Sequence, residues 1–170
     1  MEYYPRITRV CHSRLRTRVF ASQEVNIMML CLLPIISIFL IARELIVSIL
    51  YSGEFRAIIP YISFAIVGTV MRAYSWFLAI VIVARGDGKI YIVTETLSVL
   101  TGFALNVACY HLWGLAGLGV AFCLWYAAYC LIVGVVYFRS YGYSLSRQSS
   151  LLSLFTLAFC AAIVFLLNEG

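Results

Sequence analysis

The sequence predicts an all-α fold: a polytopic transmembrane helical bundle with about five membrane-spanning helices. Two bulk properties and one pattern predict it. The 170 residues are 64% hydrophobic and only 11% charged, where a soluble domain carries about 25% charge. Mean hydropathy is +1.01, too apolar for a water-soluble core. The apolar residues also fall in runs of spanning length, separated by short polar segments.

Residues 1–24 come first and hold Arg6, Arg9, Arg14, Arg16 and Arg18. They read as a basic loop or interfacial segment attracted to anionic headgroups. The segment is short, fused to membrane spans and without a recognisable nucleic-acid module, so nucleic acid is not an expected partner. It also lacks the apolar core of a cleavable signal peptide.

The first span is expected over 25–42, with Pro34 inside it. About 20 residues cross a hydrocarbon core of about 30 Å, so Arg43 and Glu44 should fall near the far interface, and 45–51 should be interfacial. Ser52-Gly53-Glu54 reads as a turn. The second span, 55–84, is longer than a crossing needs, which predicts tilt or a kink. Pro60 sits in its first turns, where proline is tolerated.

Residues 85–89, RGDGK, read as a tight turn with glycine at positions of unusual backbone angle. The third span, 90–112, carries Glu95, Asn106 and His111. Residues 113–117 turn the chain, with Trp113 as an interface anchor. The fourth span covers 118–138, where Gly117, Gly119 and Ala121 permit close approach of another helix. Residues 139–150 form a polar loop before the fifth span, 151–167. In domain terms, 25–138 is a four-helix part of a bundle and 151–170 an additional C-terminal helix.

The cations test this topology. With residues 1–24 in the cytoplasm, strict alternation puts Arg6, Arg9, Arg14, Arg16, Arg18, Arg85, Lys89, Arg139 and Arg147 inside. Only Arg43 and Arg56 fall outside, and Arg72 lies in the membrane. Nine against two is a strong positive-inside bias. An intracellular RGD cannot serve cell adhesion, and GDGK lacks the spacing of a phosphate-binding P-loop.

Three polar groups inside spans are candidate site residues, because an ionisable group in a membrane is functional by default. Arg72 lies roughly 20 Å along the helix from Arg85. It reads either as a cation in a water-filled cavity, binding an anion such as pyrophosphate through its fixed fork of donors, or as half of an interhelical ion pair. Glu95 lies about 9 Å inside Lys89, with Arg72 roughly 10 Å deeper, so a direct pair between them is not expected. Coupling, gating and a structural hydrogen bond near Arg85 or Lys89 are all open to it. Asn106 is a second coupling or gating candidate, or interhelical glue.

The six cysteines have no CxxC spacing and read as packing residues. His12 and His111 belong to no metal-ligand cluster. No catalytic constellation, nucleotide motif or cofactor site stands out, so neither an enzyme, a cofactor nor a metal is expected.

Several motifs carry a resemblance. Tyr3-Tyr4-Pro5-Arg6-Ile7 precedes a basic segment. Leu33-Pro34-Ile35, Glu44-Leu45-Ile46, Leu50-Tyr51-Ser52 with Phe55, and Gly114-Leu115-Ala116-Gly117-Leu118-Gly119 follow in order. In that order and spacing the chain resembles the C-terminal part of an O-antigen/polysaccharide (Wzx-type) flippase of the MATE-like MOP superfamily. The resemblance spans nearly all of the chain.

It implies a partial MATE-like fold, alternating access, and a location in the bacterial cell inner membrane. The implied cargo is an undecaprenyl-pyrophosphate-linked oligosaccharide bound for surface polysaccharide such as lipopolysaccharide. It also implies a fragment whose missing N-terminal helical bundle must be supplied by the full-length protein, with Arg72 among the cavity cations. A drug or lipid II exporter of the same superfamily, or a non-transporting scaffold of a polysaccharide-synthesis complex, remain alternatives.

Overall fold

Residues 14–50 contain no glycine and one proline, so little interrupts helix propagation. In the computed structural model, which describes residues 3–50 and 59–169, they form a single helix, α2 (Arg14–Leu50). At 1.5 Å per residue α2 is roughly 55 Å long, well beyond the hydrocarbon core. The basic segment, read as a loop or interfacial segment, is helical: Tyr3–Val10 forms α1, and Arg14, Arg16 and Arg18 occupy the opening turns of α2.

The helix also continues past residue 42. Arg43 lies within α2 and is only 4% exposed. Its Nη1 donates to Ser63 Oγ on the next helix, so the guanidinium is met by protein and need not reach the interface. The expected turn at Ser52-Gly53-Glu54 and Arg56 lie outside the described residues.

Helix α3 (Ile59–Ala84) has Pro60 in its first turn. Helix α4 (Gly88–Gly134) continues into a π-helical stretch, Val135–Ser140, and α5 (Arg147–Glu169) closes the chain. Ser146 caps α5: its Oγ accepts from the Ser149 N–H at 3.1 Å, which satisfies one of the free donors of the first turn. Five of these segments are long and apolar enough to cross a membrane, α4 supplying two of them, Gly88–Leu115 (α4a) and Gly117–Ser140 (α4b). The chain is an all-helical, multi-pass membrane protein, and no strand occurs among the described residues.

The two halves of α4 meet at Gly114, whose φ of 62° and ψ of −141° suit a residue without a Cβ. The chain reverses there. Trp125 Nε1 donates to Ser98 Oγ at 3.0 Å, Tyr129 donates to Glu95, and Cys109 lies against Gly117. The partners draw closer in sequence toward Gly114, so α4a and α4b form an antiparallel hairpin.

Helix α3 pairs with α4b at a constant offset instead. A Cβ on Gly119 would lie 2.7 Å from Tyr61 O, Cys123 Sγ donates to Phe64 O at 2.7 Å, and Cys130 Sγ donates to Met71 O at 3.2 Å. The two helices therefore run parallel, and Gly119 is where their backbones approach, as its sequence position suggested. All six cysteines are free, and two of them act as interhelical donors besides packing.

Burial follows this pairing. One cluster joins Leu78 and Ile82 of α3 to Tyr126, Tyr129 and Val133 of α4b and to Ile7 of α1. A second joins Val25, Met29 and Leu40 of α2 to Val70 of α3 and to Cys160 and Val164 of α5.

Three separated segments meet at one end of the bundle. Ser146 N donates to Ser22 Oγ at 2.8 Å, Tyr143 donates to the Cys11 carbonyl, and Arg85 Nη1 donates to the Tyr143 hydroxyl at 3.0 Å. The segments that carry Arg6 to Arg18, Arg85 to Lys89 and Arg139 to Arg147 are thus brought to a common end, called the basic end below.

Candidate functional site

The apolar sequence of α3 leaves most of its positions buried or half-buried. Between Tyr61 and Ala84, only Thr69, Arg72 and Trp76 are exposed. Steps of three and four place them on one helix face. On the neighbouring α4a the exposed positions include Ile92, Val93, Leu97, Leu100 and Phe103, as expected of a face turned to lipid chains. The open stripe of α3 is polar and aromatic instead. It is not a lipid face by composition.

Arg72 stands near the midpoint of the span Tyr61–Ala84. Its guanidinium lies 5.5 Å from the centroid of the Tyr126 ring on α4b. That ring is held by Trp125, stacked at 5.0 Å, and by Phe122 at 4.7 Å. A cation over an aromatic face gains about 0.5–1 kcal/mol at an exposed site such as this one, and about 2 or more only when desolvated. A cation at the centre of a lipid-facing helix costs about 2.5–3.5 kcal/mol. The ring offsets part of that, and the remainder calls for water or an anion at the stripe.

Glu95 is half-buried on α4a and accepts a hydrogen bond from the Tyr129 hydroxyl. Its partner is this phenol and not Arg85 or Lys89. The rings of Tyr126 and Tyr129 meet edge to face at 6.4 Å. Among the described residues Arg72 and Glu95 form no ion pair, in keeping with the depth argument. They are joined instead through two adjacent aromatic rings. The third candidate, Asn106, donates from Nδ2 to Gly102 O of its own helix at 2.7 Å, so this bond does not glue two helices together.

The RGDGK turn is more than a turn. Arg85 Nε lies 3.4 Å from Asp87 Oδ2, and its guanidinium sits 4.4 Å from the Tyr141 ring centroid. The Tyr141 hydroxyl donates to Asp87 Oδ2 at 2.6 Å. Its phenol is pushed above its ordinary value, first by burial and then by this bond to Asp87. The guanidinium of Arg85 is raised too, first through its hydrogen bond to Tyr143. Cys11 Sγ donates to Ala84 O at 3.4 Å, so α1, the α3–α4 turn and the segment before α5 are tied into one latch. Gly86, with φ of 82°, carries the unusual backbone angle expected of the turn.

Comparison of the chain with family models, with curated proteins and with solved structures returns no match.

Sequence reasoning missed the aromatic partners. Phe122, Tyr126, Tyr129, Val133 and Tyr137 follow one another at steps of three and four. That spacing marks one continuous buried face and was the signal available. Arg43 was missed because its depth was counted from a helix end that lies further on.

Proposed function

We propose that the chain forms one wall of a membrane transporter, a flippase moving lipid-linked oligosaccharide across the bacterial inner membrane for surface polysaccharide. The observation that carries this reading is the polar stripe of α3, with Arg72 at mid-span and exposed among otherwise buried or half-buried positions. A second helical bundle facing the stripe would enclose a wet, cationic cavity. A guanidinium there suits the pyrophosphate of a lipid carrier, because its planar fork matches two phosphate oxygens at once. The basic end then faces the cytoplasm, following the positive-inside bias. The resemblance to Wzx-type flippases of the MATE-like superfamily supports the same assignment.

Arg72→Ala and Arg72→Lys, made in the protein as it occurs in its host membrane, test the reading. The expected result is loss of surface polysaccharide at normal protein level in the alanine variant. Lysine keeps the charge and loses the fork, so it should retain part of the activity. Normal polysaccharide in both variants would sink the substrate-binding role. A fall in protein level in both would assign Arg72 to an ion pair with a helix of the facing bundle, as a scaffold subunit would need.

A further inference from the structure

Helices α4b and α5 both pack on α3, α4b along its length, yet among the described residues they do not pack on one another. Between them opens a cleft of about 510 Å³. Val70 and Met71 of α3 floor it, Leu131 and Phe138 form one wall, and Leu154 and Leu157 form the other. The stripe with Arg72 is not part of this lining, so the cleft is a separate feature.

Its size and chemistry select the occupant. Water does not fill an apolar cavity that offers it few polar partners. A helix is about 10 Å across, so about 510 Å³ would take little more than one turn of it. A hydrocarbon chain lying along the groove suits both the volume and the lining. The basic-end mouth adds charge. Phe138 is followed by the exposed Arg139, and the exposed Arg147 lies one turn before Ser150, another lining residue. Two guanidinium groups at that level match a phosphate headgroup at the membrane surface.

We propose that the cleft binds one anionic glycerophospholipid from the leaflet on the basic side. One of its two acyl chains lies against α3 between α4b and α5, and its phosphate lies at Arg139 and Arg147. The site is independent of the transport reading and holds whether or not the chain moves a substrate.

Native mass spectrometry of the purified protein, after addition of dioleoyl phosphatidylglycerol or dioleoyl phosphatidylcholine, tests it. The expected result is one retained phosphatidylglycerol, preferred over phosphatidylcholine. Arg139→Gln with Arg147→Gln should weaken retention roughly thirtyfold through loss of two surface cations. Ala127→Leu should abolish it by filling the cleft. Ser153→Leu fills the same space from the other wall, and it supplies the result if Ala127→Leu does not fold. Equal retention of the two lipids would overturn the proposal. So would loss confined to the charge variant or to the cleft variants, because the site requires both headgroup and chain.

Discussion

The guanidinium of Arg72 lies 5.5 Å from the centroid of the Tyr126 ring, across the parallel interface of α3 and α4b. The contact orients a mid-span cation without neutralising it, which leaves the charge available at the open stripe. A double-mutant cycle should measure it. Arg72→Met and Tyr126→Leu are expected to couple by about 1 kcal/mol in thermal unfolding in detergent. Tyr126→Phe, which keeps the aromatic face, should leave most of the coupling in place. Strict additivity of the first pair would remove the contact from the account.

Glu95 and Tyr129 link the two halves of the α4 hairpin. Tyr129→Phe removes the donor and leaves a half-buried carboxylate short of a partner, which should destabilise the protein by about 1–3 kcal/mol. Glu95→Gln keeps an acceptor oxygen and is expected to be milder. Melting followed by circular dichroism distinguishes the two, and a milder Tyr129→Phe would contradict the assigned geometry.

The hairpin and the α3–α4b contact depend on two glycines in different ways. Gly114→Ala places a side chain at φ 62°, ψ −141°, a backbone region that L-residues avoid, at a cost of about 1–3 kcal/mol. Gly119→Leu instead drives bulk into the backbone of Tyr61. It should separate the helices and lower the melting temperature by overpacking, a loss of about 1–3 kcal/mol.

The latch at the basic end has an alkaline limit. Folding raises the Tyr141 phenol above its ordinary value, through burial and then the bond to Asp87. Above about pH 10 the unfolded chain releases this proton first, so the native state binds more protons and stability falls as pH rises. The contribution is fully present below that pH. Tyr141→Phe should therefore show a flatter decline of melting temperature between about pH 9 and pH 11, and should start from a lower value because Asp87 loses its donor.

How far the sequence could be read depended on the kind of information. Span number follows from apolar run length, a local property, and five crossings are what the helices provide. The charge pattern anticipated that residues 85–89 and 139–147 would join the N-terminal segment at one end. The close approach at Gly119 was legible because a missing side chain leaves only the backbone to meet a neighbour. Partners were not legible. Glu95 pairs with a phenol 34 residues away, and Arg43 meets a serine 20 residues on. Such pairings depend on helix rotation and register, which run length does not encode. The stripe of α3 was hidden for the same reason: Thr69, Arg72 and Trp76 stand out only once the neighbouring helices have covered or half-covered the other positions.

The central claim is that this stripe faces water and an anionic substrate rather than lipid chains. Single cysteines at Thr69, Arg72 and Trp76, in a background with the native cysteines replaced, can be reacted in membranes with a charged, water-soluble maleimide. Labelling is expected at all three positions and none at Leu100→Cys, on the apolar outer face of α4a. Absence of labelling along the stripe, with reaction still seen at an exposed basic-end position such as Arg147→Cys, would contradict it.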